Sequence, residues 1–586
     1  MIRIARTTHR ERSAQRRGPL TRFMIFRYAL AAAAAFLVLR LLVLQIVEHG
    51  FYEALASGQH DLFTQLFPER GDILLKDRFE DKYYPAATNQ QLTLIYADTR
   101  TIDDPSKTAA ALSPLINRPP EELLPILSKK DDPYEPLLHY ASDAVADQVR
   151  ALKLPGIAFA PEKARVYPEA GIGGHLLGFL GWDDTGARKG RYGLEGKWDA
   201  ELAGSPGVLR AEKDSGGRWI TVTDREFVPA KDGDTVVLTI DRTIQYFACQ
   251  KIKEAVRRNG AASGQVLIMD PKTGAILAMC SEPDYDPNTY NEVRDINVFS
   301  NPAVSGAWEP GSIMKPVTLA ASMNEGKIGP RTTYTDEGSV KYGPFTVKNS
   351  DGKAHGVVDM TTVLEESLNT GAIFAQERIG LDRFRDYLKN FGFDDPTGIE
   401  ISGERGWDLS SLDKRGEIYA ATASYGQGVT VTPIQMLQAY GALANGGLMM
   451  QPHVVSEVRS PDGASRSVAP TPVRQVVSER TATLMGGMLV SVVENGHGKK
   501  AGVEGYRVAG KTGTAQIARA DGPGYEAQAT IGSFVGYAPV DDPKFVMLVR
   551  VDRPQTTAFA EATAAPVFGE MAAFLLQYFG VPPGRR

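Results

Sequence analysis

The stretch AWEPGSIMKPVTLAA, residues 307–321, sets a serine directly after Pro310-Gly311, a lysine three residues later, and an apolar run behind both. Residues three apart share one helical face. A proline is tolerated only in the first turn of a helix, so Pro310 and Pro316 make the helix begin at the serine. Ser312 then sits at a helix mouth, where a backbone N–H has no intrahelical partner and can donate to an oxyanion. Lys315 lies one turn along. A lysine accepts a serine proton only if its pKa is lowered, and burial, a second cation and the positive end of a helix all act in that direction. Ser312 is therefore a candidate nucleophile and Lys315 its base.

The spacing alone discriminates poorly. Ser350-Asp351-Gly352-Lys353 and Ser411-Leu412-Asp413-Lys414 repeat it, the first in a turn and the second in a charged stretch with no apolar helix behind it. Two later elements add weight. EESLNTG, residues 365–371, offers Ser367 and Asn369, a hydroxyl and an amide that could face a cleft. VAGKTGTAQ, residues 508–516, puts Lys511, Thr512, Gly513 and Thr514 on a strand, where the glycine would let a substrate backbone approach. Each has a decoy, Ser322-Met323-Asn324 and Lys272-Thr273-Gly274. The order Ser-x-x-Lys, Ser-x-Asn, Lys-Thr-Gly, each in a fitting local context, separates the candidates from the decoys.

Outward from these motifs, VPAKDGDTVVLTIDRTIQYFACQ reads as a strand from Val236 to Ile240 and then an amphipathic helix opened by Asp241. GQVLIMD, PKTG and AILAMC read as a hairpin. Residues 307 to about 450 read as mainly helical. Thr432, Pro433 and Gln435 form a capping box that starts a helix ended by Asn445-Gly446-Gly447. YRVAGKTGTAQ, TIGSFVGYAP and KFVMLVRVD read as three antiparallel strands, followed by an apolar helix over roughly 562–579. Strands at both ends with helices between them predict one antiparallel sheet covered by helices. The texture before residue 230 is a mixture of short strands such as QLTLIYAD and helical pieces.

The chain has 586 residues, too many for one ordinary domain. Its net charge of −5 argues against nucleic-acid binding. The first 23 residues hold seven arginines and one acid, and residues 28–47 form an apolar run with Arg40 as its one charge. That run spans about 30 Å as a helix, so an uncleaved anchor with a cytoplasmic N-terminus is expected. The competing reading is a signal peptide cut after ALA at 54–56. Arg40 either snorkels or contacts another membrane protein. Cys249 and Cys280 lie too far apart for a metal motif; two buried thiols are favoured over a disulfide.

The ordered trio resembles the signature of penicillin-binding proteins and serine β-lactamases. EPGSIMKP, ESLNTG, ATASYGQGVTVTPIQMLQAYGALANGG, GKTGTAQ and SFVGYAPVDDPKFVMLVRVDRP are similar to class B penicillin-binding proteins of the FtsI/SpoVD cell-division branch. RGDI at 70–73, RVYPEAGIGGHLLGFLG at 165–181 and GRYGLEGKWDAELAGSPG at 190–207 resemble that family's pedestal, or dimerisation module. LLKDRFEDKYYPAA departs from the family's shorter turn after RGDI.

The resemblance implies an α+β chain: a basic cytoplasmic tail over 1–23, a transmembrane helix over 24–47, a mixed α/β pedestal over 48–230, and a transpeptidase domain over 231–580 with a helical subdomain. It implies a peptidoglycan D,D-transpeptidase in septal wall synthesis, with its catalytic domain outside the plasma membrane. Ser312 would be acylated by the penultimate D-Ala of a stem peptide, and β-lactams would trap the same serine. Lys315, Ser367, Asn369 and Lys511 would serve catalysis, and Thr512, Gly513 and Thr514 would bind substrate. No metal or organic cofactor is expected. An FtsW-type multi-pass glycan polymerase and other division proteins are the implied partners. The alternatives are an elongation-type transpeptidase, a D,D-carboxypeptidase or β-lactamase-like hydrolase, and a non-catalytic wall scaffold or sensor.

Overall fold

Strands from the two ends of the C-terminal half meet in one five-stranded sheet. The computed structural model describes residues 27, 61–66, 68–212 and 226–584, apart from 81, 131, 170, 172, 185–186, 520–521 and 523. Except for Arg27, the anchor expected over 24–47 lies outside the described residues. Among those described, no helix is long and apolar enough to cross a membrane.

Asp241 ends a strand, and its Oδ1 accepts from the N–H groups of Thr243 and Ile244, both at 3.0 Å, which starts α1 (Arg242–Asn259). The hairpin β1 (Ser263–Met269) and β2 (Ile276–Glu282) follows. The helices of the middle of the domain include α2 (Lys315–Asn324), α3 (Asn369–Asn390) and α4 (Pro433–Ala444). The expected capping box of Thr432 and Gln435 opens α4. Then come β3 (Ala509–Ala518), β4 (Tyr525–Ala538), β5 (Phe545–Asp552) and α5 (Ala564–Tyr578).

The sheet runs β2-β1-β5-β4-β3, all antiparallel, with Val266 of β1 opposite both Cys280 and Val549. Both faces are covered, which is why β1, β2 and β5 read as unbroken apolar runs rather than alternating ones. Val266, Ile268, Met547 and Val549 belong to the core shared with α1 and α5, and Leu267, Met269, Val546 and Leu548 to the core shared with α4. The last strand in the order, β3, lies at the sheet's edge. The region read as mainly helical also carries two small hairpin-like pairs, Thr333–Asp336 with Gly356–Asp359 and Ser339–Tyr342 with Phe345–Lys348.

A seven-stranded sheet runs across residue 230. Its strand Thr235–Asp241 pairs parallel with Ile73–Lys76 and antiparallel with Val455–Arg459. The piece read as the short strand QLTLIYAD belongs to the 15-residue strand Tyr83–Ala97, held along its length by successive partners. Beside this sheet, Arg70 and Arg165 donate to the two oxygens of Glu195 at 2.8 and 2.7 Å, so the RGDI, RVYP and GLEG segments converge on one wholly buried carboxylate. Burial pushes that carboxyl up, but the two guanidiniums outweigh it and hold it below its usual range. A separate unit contains the three-stranded antiparallel sheet Asp61–Leu66, Gly207–Glu212 and Glu226–Val228.

The expectation of two free thiols is overturned: Cys249 and Cys280 form a disulfide, with Cα atoms 5.2 Å apart. The cause is tertiary. On α1, Gln245 exchanges two hydrogen bonds with the backbone of Met279, at 2.9 and 2.8 Å, which lays the helix across β2 and brings the next turn over Cys280. The bond closes a sequence separation of 31 residues. Chain entropy gives such a loop about 3–4 kcal/mol of stabilisation. Reduction should therefore lower the thermal unfolding midpoint, and the double variant Cys249→Ser, Cys280→Ser should show the lower midpoint and no further response to reductant.

Candidate active site

The serine turn is fixed from several sides. Trp308 pairs with Val431 through two backbone hydrogen bonds, N to O at 3.0 Å and O from N at 3.1 Å. Gly311, at φ +60°, donates its N–H to the Gly426 carbonyl at 3.0 Å. Gly311–Met314 forms a 3-10 turn that runs into α2 at Lys315, and Tyr440 donates to the Ile313 carbonyl at 2.9 Å. Ile313 and Met314 are wholly buried, whereas Ser312 is half-buried. The expected helix mouth is present, tightened by one 3-10 turn.

Lys315 is wholly buried, and its Nζ donates to Ser312 Oγ at 3.0 Å, to Ser367 Oγ at 3.2 Å, and to the Ser367 carbonyl. Ser367 holds φ +57°, a left-handed conformation costing of order 1–3 kcal/mol for a residue with a side chain. That conformation turns both its oxygens toward one amine. Across the site, Lys511 is also wholly buried, and its Nζ donates to Ser367 Oγ at 3.1 Å and to Thr512 Oγ1 at 3.3 Å. One hydroxyl thus stands between two lysines.

Among the described ion pairs no carboxylate meets either lysine. Burial, and then the charge of Lys511, push the Lys315 amine well below its ordinary value. Burial pushes Lys511 down to about 7. A neutral Lys315 carries a lone pair, and across the same 3.0 Å it can accept the Ser312 proton.

Three expected site residues also have partners within the protein itself. Asn369 opens α3, and its Nδ2 donates to the Lys348 carbonyl at 2.8 Å; Asn369 is not among the described hydrogen-bond partners of Lys315. Gly513 serves the protein's own packing: a Cβ there would lie 2.7 Å from Ser533 Oγ and 2.9 Å from Ile313 Cγ2. The glycine lets the edge strand press against the serine turn. Thr514 is exposed, and its Oγ1 accepts from the Ala560 N–H at 3.2 Å. Thr512 stays at the site beside Lys511.

The decoys separate cleanly. Ser350 and Lys353 are both exposed, and Lys414 lies over the Tyr419 ring at 5.6 Å. Ser322 is buried inside α2, and Lys272 pairs with Asp542. Sequence reasoning missed Gly426, whose carbonyl anchors the serine turn, and Thr370, whose hydroxyl donates to the buried Asp336 at 2.7 Å and steadies the start of α3. Both lie inside stretches quoted above for their resemblance, but neither carries a local signal of its contact.

A helix-mouth serine, a buried lysine whose pKa is depressed, a bridging hydroxyl and a second lysine on a sheet edge define an active-serine acyl-transfer enzyme. Residues 264–573 match the penicillin-binding protein transpeptidase domain, and residues 65–238 match the penicillin-binding protein dimerisation domain. The chain belongs to the penicillin-binding transpeptidases that carry a dimerisation domain. It is 35% identical to stage V sporulation protein D of Bacillus subtilis, over 88% of this chain and 79% of that protein. It is 31% identical to penicillin-binding protein PbpB of Mycolicibacterium smegmatis, over 99% of this chain and 94% of that protein. With peptidoglycan D,D-transpeptidase FtsI of Escherichia coli K12 it shares 27% identity over 96% of this chain and 93% of that protein. The crystal structure of penicillin-binding protein 3 from Mycobacterium tuberculosis complexed with ampicillin is similar at a TM-score of 0.68 and 27% identity, covering 89% of this chain and 98% of that one.

Gly426→Ala tests the anchoring of the turn. A Cβ at that position would lie 2.3 Å from the Gly311 oxygen, on a backbone at φ +82°. The variant should lose about 1–3 kcal/mol of stability and label more slowly with a fluorescent penicillin, as read by thermal unfolding and by gel fluorescence.

Proposed function

We propose that this chain is a peptidoglycan D,D-transpeptidase that cross-links stem peptides through an acyl-enzyme on Ser312, in septal wall synthesis. The observation that carries the reading is the Lys315 amine, wholly buried and 3.0 Å from Ser312 Oγ. Lys315 takes the serine proton as Oγ attacks the carbonyl of the penultimate D-Ala. The N–H groups of Ser312 and Thr514 hold the oxyanion. Ser367, between the two lysines, passes a proton to the leaving nitrogen, the C–N bond breaks, and D-Ala departs. An amine of a second stem then attacks the ester carbonyl, the acyl C–Oγ bond breaks, and the proton the amine loses returns through Lys315 to Ser312 Oγ. Lys511, Thr512 and Thr514 hold the substrate carboxylate, and Asn369 holds a substrate amide. β-Lactams mimic the donor and stop at the acyl-enzyme.

The domain reading remains a cytoplasmic tail over 1–23, an anchor over 24–47, a pedestal over 48–230 and the catalytic domain over 231–580. The arginines ahead of the apolar run support a cytoplasmic N-terminus, and the Cys249–Cys280 disulfide fits an oxidising space outside the cytoplasm. The names of the relatives, FtsI and stage V sporulation protein D among them, favour a septal over an elongation role. A separate FtsW-type polymerase would supply glycan, with Arg40 as the polar contact in the membrane.

Mass spectrometry after incubation with ampicillin should place one penicilloyl group on Ser312, and Ser312→Ala should take none. Lys315→Ala should slow acylation by about 10²–10⁴-fold. Burial and the Lys511 charge depress the Lys315 amine, so its neutral form persists to lower pH than an ordinary lysine's, and the acylation rate should fall as acid protonates it. An alkaline limb should follow the loss of the Lys511 charge, which burial brings down to about 7. Lys511→Ala should remove that limb and mainly weaken binding of carboxylate-bearing donors. A penicilloyl group on Ser350 or Ser411 would overturn the assignment.

A further inference from the structure

Three residues before the nucleophile, Glu309 carries an unneutralised carboxylate at one end of the edge strand. Its Oε1 accepts from the Gly428 N–H at 3.0 Å, and its Oε2 accepts from the Tyr525 hydroxyl at 2.9 Å. Tyr525 stands opposite Ala518 in the β3–β4 register, so the carboxylate lies at the Ala518 end of β3, away from Lys511. It borders a cavity of about 330 Å³ lined also by Trp308, Thr430, Gln516 and Ile517. The other charges of that cavity are matched. Arg550 is held by both oxygens of Asp552, at 2.7 and 2.8 Å, and Arg553 is held by Glu526. No cation pairs with Glu309 among the described residues, and burial pushes its carboxyl up, so a cation seated there would be favoured.

The direction of the donor follows from the roles proposed above, on which this inference rests. With the terminal carboxylate at Lys511 and Thr512 and the scissile carbonyl at the Thr514 N–H, the donor runs antiparallel to β3. The residue before D-Ala–D-Ala lies one step back, about 3.8 Å along the donor, and its extended side chain of about 6 Å, four bonds of about 1.5 Å, points the amine toward the Ala518 end, about 13 Å from Thr514 at strand rise. We infer that Glu309 selects the donor strand by binding a free amino group on the side chain of the residue that precedes the D-Ala–D-Ala unit. The ligand class is an alkylammonium carried on the donor peptide. Tyr525 and Gly428 act as positioning groups that fix the carboxylate.

The test uses the full chain in detergent with no separate acceptor amine, and because the lysine donor's own amine can attack the acyl-enzyme, only the first turnover is compared, as the burst of one D-Ala per Ser312. The donors are N-acetyl-L-lysyl-D-Ala-D-Ala, its Nε-acetylated form, and the norleucine analogue. Acylation of Ser312 is followed by D-Ala release and by mass spectrometry. The lysine donor should acylate about tenfold more efficiently than the other two, the scale of one hydrogen-bonded charge. Glu309→Gln should bring the ratio close to one, and Glu309→Lys should reverse it in favour of the norleucine donor. If Glu309→Gln does not fold, Glu309→Ala or Glu309→Lys supports the same comparison. A ratio near one in the unaltered protein, or a preference for lysine that survives in the variants, overturns the inference. Acylation without discrimination counts against Glu309 alone. No acylation by any donor, together with no penicilloyl adduct, counts instead against the transpeptidase reading.

Discussion

A wholly buried amine that meets no carboxylate among the described residues is the constraint on which this site depends. An ammonium at Lys315 would bear a desolvation cost of several kcal/mol, and the charge of Lys511 would add to it. The surroundings answer with groups that suit a neutral amine: two serine hydroxyls and one carbonyl. A carboxylate in place of any of them would draw a proton onto Lys315 and remove the lone pair that the chemistry needs. The left-handed backbone at Ser367 follows from the same demand, since it aims two oxygens of one residue at one nitrogen.

Bringing two buried lysines to one hydroxyl requires three segments to approach closely: the serine turn, the Ser367 loop and the edge strand. Side chains would hold them apart. Glycines at 426 and 513 remove the obstruction on either side of the turn, so that backbone touches backbone at Gly311 and the strand lies against Ile313. The glycine of Lys-Thr-Gly is therefore as much a packing requirement as a substrate one.

What could be read from sequence was local. Ser312 and Lys315 share a helical face, the prolines mark where that helix starts, and Thr432 with Gln435 marks another start; each holds in the structure because its cause lies within a few residues. The central sheet was legible because its strands are apolar runs with clear turns. The disulfide was not, because the meeting of Cys249 and Cys280 depends on how Gln245 lays a helix across a strand. The Lys348 carbonyl as the partner of Asn369, and the clamp on Glu309 from Gly428 and Tyr525, were hidden for the same reason: their partners lie 21, 119 and 216 residues away in the chain.

The strand Thr235–Asp241 has backbone neighbours on both sides, one from the segment before it in the chain and one from far beyond it. A catalytic fragment begun near residue 231 would lose Ile73–Lys76 and leave a row of unpaired amide and carbonyl groups along a flat apolar edge. Such an edge is a template for pairing between molecules. Solubility of a truncated enzyme thus turns on whether the short strand that starts at Ile73 is kept, a choice that the position of the catalytic motifs alone would not reveal.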